Sequence, residues 1–498
     1  MEVRAGNLYQ MQVVSSPEVH FGMGNRTKAD VVRIMWTNGV PQNMFFPDSD
    51  RSLIEEQELK GSCPFLYTWN GQEYVFVKDM MWRSALGMPL GIMGGKAKYA
   101  FADASEEYLK IPGELLQPKD GRYTIQMTEE LWETIYCDEI KLIAVDHYAD
   151  TDIYVDEKFA APPYPPLKLY HVKKPLIPSS ITDGKGNDLL HLLAEKDHRY
   201  VSNFQRAKYQ GVTEMKDLVI DLGDIPDTEN LHLFLNGWIF PTDASINVAL
   251  SQSNNIQIRQ PSLEVVNQKG EWQQVMESIG FPSGKNKTVV VDLSDKFLSR
   301  DRKVRIRTNM EIYWDHVFFA QDEEAAVNMT TMTPTSADFH FRGFSRSFRK
   351  EGRYGPHWFD YSQVSTDPQW RDLTGTYTRY GEVNELLQAA DDMYIIANAG
   401  DETTITFDAT NLPKLPEGWK RDFLIYSVGW VKDGDLNTAL GQTVEPLPFH
   451  GMGTYPYGKD LQYPSDKKHL EYQKKYNTRE VGTHGFKEYL SKETRAQP

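Results

Sequence analysis

Short runs in which apolar and polar side chains alternate, each closed by a turn signal, recur along most of this chain and restrict it to sheets. Val32, Ile34 and Trp36 alternate with Arg33 and Met35 before Asn38-Gly39. Phe65, Tyr67 and Trp69 lead through Asn70-Gly71 to Tyr74 and Phe76. Asn-Gly accepts the positive φ of a type I′ turn, so this segment predicts a hairpin. Asp120-Gly121 precedes Tyr123, Ile125 and Met127, and Lys141–Asp146 reads as a more apolar strand.

Ala160 to Pro166 (AAPPYPP) holds four prolines, which continue neither a ladder nor a helix interior and mark a boundary. Beyond it, seven runs read as strands: Leu218–Leu222, Leu231–Trp238, Ser245–Leu250, Leu263–Val266, Thr288–Leu293, Val304–Thr308 and Ile312–Phe319. Their spacing suggests a jelly-roll-like β-sandwich. Val383–Ala390 reads as a short helix, Thr403–Phe407 and Phe423–Val428 as strands, and residues 459–498 as a polar, partly helical tail. The expected fold is mainly β, with several β-sandwich or jelly-roll-like domains and a few short helices. Its expected divisions are a β segment at 1–57, a β-rich domain at 58–159, a sandwich at 167–325 and a mixed region at 326–498.

Composition narrows the partners. The 54 Lys and Arg against 70 Asp and Glu leave a net charge of −16, which argues against nucleic acid. Hydrophobic residues at 40% and aromatics at 12% suffice for real cores. No apolar run approaches the ~18 residues of a membrane span. Cys63 and Cys137 are too few for a disulfide scaffold and have no CxxC spacing; one bridge and two buried thiols both remain open. Met1 to Asn7 lacks the apolar core of a signal peptide, so either the protein is cytoplasmic or the chain begins partway through a longer secreted one.

Nucleotide motifs fail their spacing tests. In Gly87 to Lys96 the phosphate-loop glycine position is Leu90 and Ala97 replaces the hydroxyl, and no run fits GxGxxG, so no nucleotide cofactor is expected. The stretch reads better as a flexible loop rich in Met and Gly, with packing of Met80, Met81, Met88, Leu90, Ile92 and Met93 on a neighbouring domain or partner as the alternative. Asp433-Gly434-Asp435-Leu436-Asn437-Thr438 places oxygen donors at alternate positions, like the opening of a calcium loop. Thr438 and Val444 exclude a complete EF-hand, which leaves a looser Ca2+ site of Asp433, Asp435 and Asn437, or a polar turn in which Asp and Asn bond their own backbone.

Read as one strand, Asn309–His316 puts Asn309, Glu311, Tyr313 and Asp315 on one face, a pattern suited to a sugar and equally to a solvated strand. Glu311 and Asp315 would lie ~13 Å apart, too far for a glycosidase pair. Asp338, His340 and His450 are the weak catalytic candidates; none belongs to a metal or nucleophile motif, and a structural hydrogen-bonding role competes. Phe339 to Arg353 is the one basic cluster, suited to an anionic partner or to internal ion pairs.

His20-Phe21-Gly22-Met23-Gly24-Asn25 and Asp30-Val31-Val32-Arg33-Ile34-Met35-Trp36-Thr37-Asn38-Gly39 resemble the end of an ASPIC/UnbV domain. Met23 stands for the family's usual Leu and Thr37 for its Pro. Gly61–Tyr67 and Lys432–Thr438 look like parts of the extension that follows this domain in some bacterial members. The resemblance implies a secreted, extracellular or periplasmic protein, often with FG-GAP repeats upstream, and carries no catalytic residues. The expected function is therefore non-catalytic binding or assembly, dependent on carbohydrate or calcium, with a glycan or another protein as partner. A polysaccharide hydrolase with its site in 326–460, and a structural subunit of a larger complex, are the alternatives.

Overall fold

The computed structural model describes residues 1–36, 41–55, 64–93, 96–225, 229–349 and 356–482. The chain is mainly β, built of antiparallel sheets with a few short helices. None of its described helices is long and apolar enough to cross a membrane.

The N-terminal residues form a four-stranded sheet in the order Leu8–Met11, Glu2–Ala5, Val31–Met35, Pro41–Phe45. Val3, Ala29 and Val32 give it a small core of its own. Asn38-Gly39 lies outside the described residues.

Two larger sheets then pack face to face. One runs Gly381–Glu382, Ser336–Phe341, Asp401–Asp408, Arg122–Thr128, Phe65–Trp69, Tyr74–Asp79. The other runs Val327–Met332, Glu133–Tyr148, Trp419–Asp433, Ser105–Ile111, and Ile395–Asn398 also pairs with Glu133–Tyr148. Their inward residues, among them Leu66, Ile125, Met127, Ile140, Leu142, Phe339, Ile405 and Ile425, form one core. Alternation supplies that core directly, since Ile125 and Met127 face in from one strand and pair with Ile405 and Thr403 of the next.

This sandwich draws strands from two separate stretches of the chain. Strands between residues 65 and 148 pair with strands after 326, Ile125 with Ile405 and Ile140 with Ser427. Periodicity reveals a strand but not its partner. The sixteen-residue strand Glu133–Tyr148 is buried almost throughout and needs a neighbour of matching reach, which the fifteen residues Trp419–Asp433 provide.

A second sandwich is built from strands between Ser180 and Gln321. Its sheets run Ser180–Asp183, Val212–Asp221, Lys303–Met310, Ser262–Val266, Trp272–Met276 and, opposite, Lys287–Asp292, Leu231–Ile239, Ile312–Gln321. Two local readings change. Ser245–Leu250 is not a strand but part of a helix, Ala244–Ser251, whose N-cap Asp243 accepts from the Ile246 N–H at 2.7 Å. Asn309–His316 is not one strand, because Glu311 separates Lys303–Met310 from Ile312–Gln321. Val383–Ala390 shortens to a single 3-10 turn, Asn384–Leu387.

The sandwiches meet along Tyr74–Asp79 of the first and residues 283–288 of the second. Asp79, fully buried, lies 3.3 Å from the Lys285 ammonium and 3.4 Å from that of Lys287. Beside it Lys78 pairs with Glu157 at 2.6 Å.

Candidate functional site

Alongside this junction lies a cavity of about 430 Å³. Seven aromatic rings line it: Trp82, Phe101, Trp132, Phe159, Phe240, Phe281 and Trp370. Most stand just beyond strand ends, where a side chain leaves the core of its own sandwich. Trp82 follows Tyr74–Asp79, Trp132 precedes Glu133–Tyr148, and Phe240 follows Leu231–Ile239. Phe159 and Phe281 stack at 5.2 Å and 7°, and Trp82 meets Phe159 edge-on. Trp132 Nε1 donates to the Arg371 carbonyl at 2.7 Å and Trp370 Nε1 to the Glu130 carbonyl at 3.1 Å. Both rings are thereby fixed as walls. Gly434 is required behind one of them, because a Cβ there would fall inside the Trp132 ring.

Asp243, Asp433 and Asp435 close one side of the cavity. Asp435 is almost wholly buried; its Oδ1 accepts from Ser245 Oγ (2.9 Å) and the Asn437 N–H (2.7 Å), and its Oδ2 from the Ser245 N–H (3.2 Å). Asn437 Nδ2 also donates to Ser245 Oγ at 2.8 Å. Asp433 Oδ1 accepts from the Asp435 N–H at 3.1 Å and from Thr438 Oγ1. Burial, and then the neighbouring Asp435 carboxylate, push Asp433 up to about 7. Buried Lys432 pins the following loop by donating to the carbonyls of Thr443 (2.6 Å) and Glu445 (3.1 Å).

The structure thus brings Asp433, Asp435 and Asn437 together, and gives Asp433 Oδ1 and both Asp435 oxygens backbone and hydroxyl donors. A calcium ion would have to displace those donors. Among the described residues, the group of three potential ligands that lies within 4.8 Å of one another is elsewhere: Asp138, Asp392 and His450.

Asn309, Glu311, Tyr313 and Asp315 are all buried, so the expected exposed face does not form. Asn309 bonds the backbone of Arg259 and Gln257. Glu311 accepts from Arg206 Nε (2.6 Å), Tyr313 Oη (2.7 Å) and the Gly211 N–H (3.1 Å). Asp315 accepts from the His198 N–H at 2.8 Å, and burial pushes it up to about 6. The break at Glu311 turns these groups inward, where each requires a partner.

Asp338 and His340 form a pair at 3.2 Å, and the other ring nitrogen of His340 lies 3.2 Å from Glu402. His450 Nδ1 lies 2.7 Å from Asp392 Oδ1. The catalytic candidates therefore fall into clusters with separate partners. Arg342 of the basic segment is spent internally, on Glu130, Glu402 and the face of Tyr361; Lys350 and Arg353 lie outside the described residues.

Met80 and Met81 are core residues. The hairpin Pro89–Met93 with Lys96–Tyr99 rests on the helix Ala244–Ser251, where the Ile92 N–H donates to Ser251 Oγ. Pro89–Met93 thus lies against a neighbouring part of its own chain, with Leu90 exposed. Cys137 is a free buried thiol, pushed up by burial, and Cys63 lies outside the described residues.

A second cleft, of about 830 Å³, also follows the junction. Three ion pairs cross its lining, Lys78 with Glu157, Lys110 with Asp422 at 3.0 Å, and Lys420 with Asp152, so it is more highly charged than the first cavity although it too is lined by aromatic rings.

Asp433 and Asp435 were legible by their spacing. The aromatic walls were not, because they come from segments far apart in the chain, and only Asp243 before an apolar run signalled the helix that supplies Ser245. A scan of the chain against protein-family models returns no match, and a search of curated proteins returns none.

Proposed function

We propose that this is a non-catalytic binding protein whose aromatic cavity takes a neutral polyhydroxylated ligand with an apolar ring face, a glycan segment. The observation that carries this reading is the pairing of seven rings with an acidic side in one cavity of about 430 Å³. That volume lies within the ~300–1,000 Å³ of small-ligand sites, which join apolar walls to a few placed polar groups. Flat rings pack against the C–H faces of a sugar, and carboxyl oxygens accept from its hydroxyls. Asp435 already accepts three hydrogen bonds from Ser245 and Asn437, and burial raises Asp433 to about 7, so the acidic side has acceptor capacity left for a few hydroxyls and suits them better than a cation.

The separation of Asp338 and His340, Asp433 and Asp435, and His450 into clusters with different partners favours binding over hydrolysis. The resemblance of residues 20–39 to an ASPIC/UnbV domain supports a secreted or periplasmic setting.

Trp82, Trp132 and Trp370 line the cavity, so tryptophan emission reports its occupancy. Titration with a panel of oligosaccharides is expected to shift that emission saturably for at least one glycan. Trp82→Ala, which removes a stacking face, is expected to weaken the response at least tenfold. A panel without any response, or a response confined to quaternary ammonium ions, overturns the glycan reading.

A further inference from the structure

Away from the cavity, three potential ligands from distant parts of the chain converge. Asp138 sits at the β-bulge of Glu133–Tyr148, where the register with Trp419–Asp433 shifts between Cys137 and Glu139. A bulge re-aims a side chain. This one sends a carboxylate with no solvent exposure toward Asp392 and His450. Asp138 Oδ2 accepts from the Asp392 N–H at 3.0 Å and lies 3.9 Å from His450 Nδ1, which is 2.7 Å from Asp392 Oδ1. The other Asp138 oxygen is buried with no hydrogen-bond partner. A buried carboxylate with a single donor is costly, and a cation held at its Oδ2 offsets the charge that burial penalises.

We infer that Asp138, Asp392 and His450 bind one first-row divalent transition ion, of which Zn2+ is the best fit. The imidazole nitrogen argues against Ca2+ or Mg2+, which take oxygen ligands. The absence of a thiolate among the three points to the N/O donor sets used for Zn2+ or Mn2+, and the affinity order favours Zn2+. With Zn–N and Zn–O lengths of ~2.1 Å, ligand atoms in a tetrahedral site stand ~3.4 Å apart. The 2.7 and 3.9 Å separations bracket that value, so with small side-chain rotations the ion takes the place of the hydrogen bond between the His450 ring and Asp392, whose Oδ1 also accepts from the His450 backbone N–H at 2.9 Å. The His450 side chain is 43% exposed, so an ion has a route in from solvent. Three protein ligands also leave a coordination position for water or an outside donor. Trp430 packs on the imidazole at 4.8 Å and limits its orientation.

Calorimetric titration of the metal-free 498-residue chain with Zn2+ is expected to show one tight site, with Ca2+ failing to compete. His450→Ala and Asp392→Asn are expected to weaken it at least tenfold each, while the metal-free melting temperature stays within a few degrees of the parent. Asn is the conservative replacement at Asp392, whose φ is +65°. Co2+ should give the d–d spectrum of a low-coordinate N/O site in the parent and lose it in both variants. Absence of Zn2+ binding, or Zn2+ binding retained in both variants, overturns the assignment.

Discussion

At the scale of single residues, burial decides what each acid can do. Glu129 is 1% exposed, and neither carboxylate oxygen has a hydrogen-bond partner. Burial, then the nearby Glu133, Asp401 and Glu130, raise it well above the usual carboxylate range. The sign follows from linkage. A folded-state value above the unfolded ~4.3 means the folded chain holds a proton that the unfolded chain has released. Stability from this group is full below pH ~4.3 and is lost as pH rises toward the folded value. Glu129→Gln keeps the shape without the ionisation. It is expected to raise stability by ~1 kcal/mol at pH 8, with the gain vanishing near pH 4. Thermal melts of parent and variant at pH 4, 6 and 8 check this; an equal loss at every pH would show that the carboxylate has a partner. The contrast with Asp422 is instructive. Burial opposes its ionisation too, yet the hydrogen bond from His147, the Lys110 ammonium and the Gly113 N–H hold it well below the usual range.

At the scale of elements, the sequence was most readable where local chemistry sets the geometry. Asn70-Gly71 marks the Phe65–Trp69 and Tyr74–Asp79 hairpin, but its loop is residues 70–73 and not a two-residue type I′ turn: only Gly71 takes a positive φ, and Asn70 Oδ1 accepts from the Gln72 and Glu73 N–H groups at 2.9 Å. Ser245–Leu250 misled because Ile246, Val248 and Leu250 alternate as a strand would. The decisive signal was Asp243, whose carboxylate caps the helix. Within the candidate site, the Asp433 and Asp435 spacing was visible, whereas the ring behind Gly434 was not, since no local rule links Trp132 to the loop after its partner strand. That contact is testable. In Gly434→Ala the new Cβ displaces Trp132 and breaks its bond to the Arg371 carbonyl. Overpacking of this kind costs ~1–3 kcal/mol, read from urea melts, and the displaced ring should weaken glycan binding about tenfold. Gly458→Ala, with nothing within 4 Å of its Cβ, is the control and should leave both unchanged.

At the scale of the whole molecule, two sandwiches with separate cores share one charged junction. Asp79 faces Lys285 and Lys287, and the backbone N–H of Lys285 donates to its Oδ1 at 2.8 Å. Even the intervening glycine is dictated, because Gly284 has φ +105° and a Cβ there would overlap the Asp79 carboxylate. Such a cluster adds little over apolar packing when complete, but removing one partner strands buried charge at ~3–5 kcal/mol. Asp79→Ala leaves Lys285 and Lys287 buried with no counter-charge from Asp79. The loss falls on the junction and on neither core, so calorimetry is expected to show one transition in the parent and two in the variant. The cavity takes Trp82 and Trp132 from the first sandwich and Phe240 and Phe281 from the second. Ligand bound across both should stabilise them together by mass action. Asp79→Ala should therefore also lose most of the ligand-induced rise in melting temperature. A single transition with an undiminished ligand shift would mean that the aromatic contacts across the cavity, rather than the buried ions, hold the two sandwiches in register.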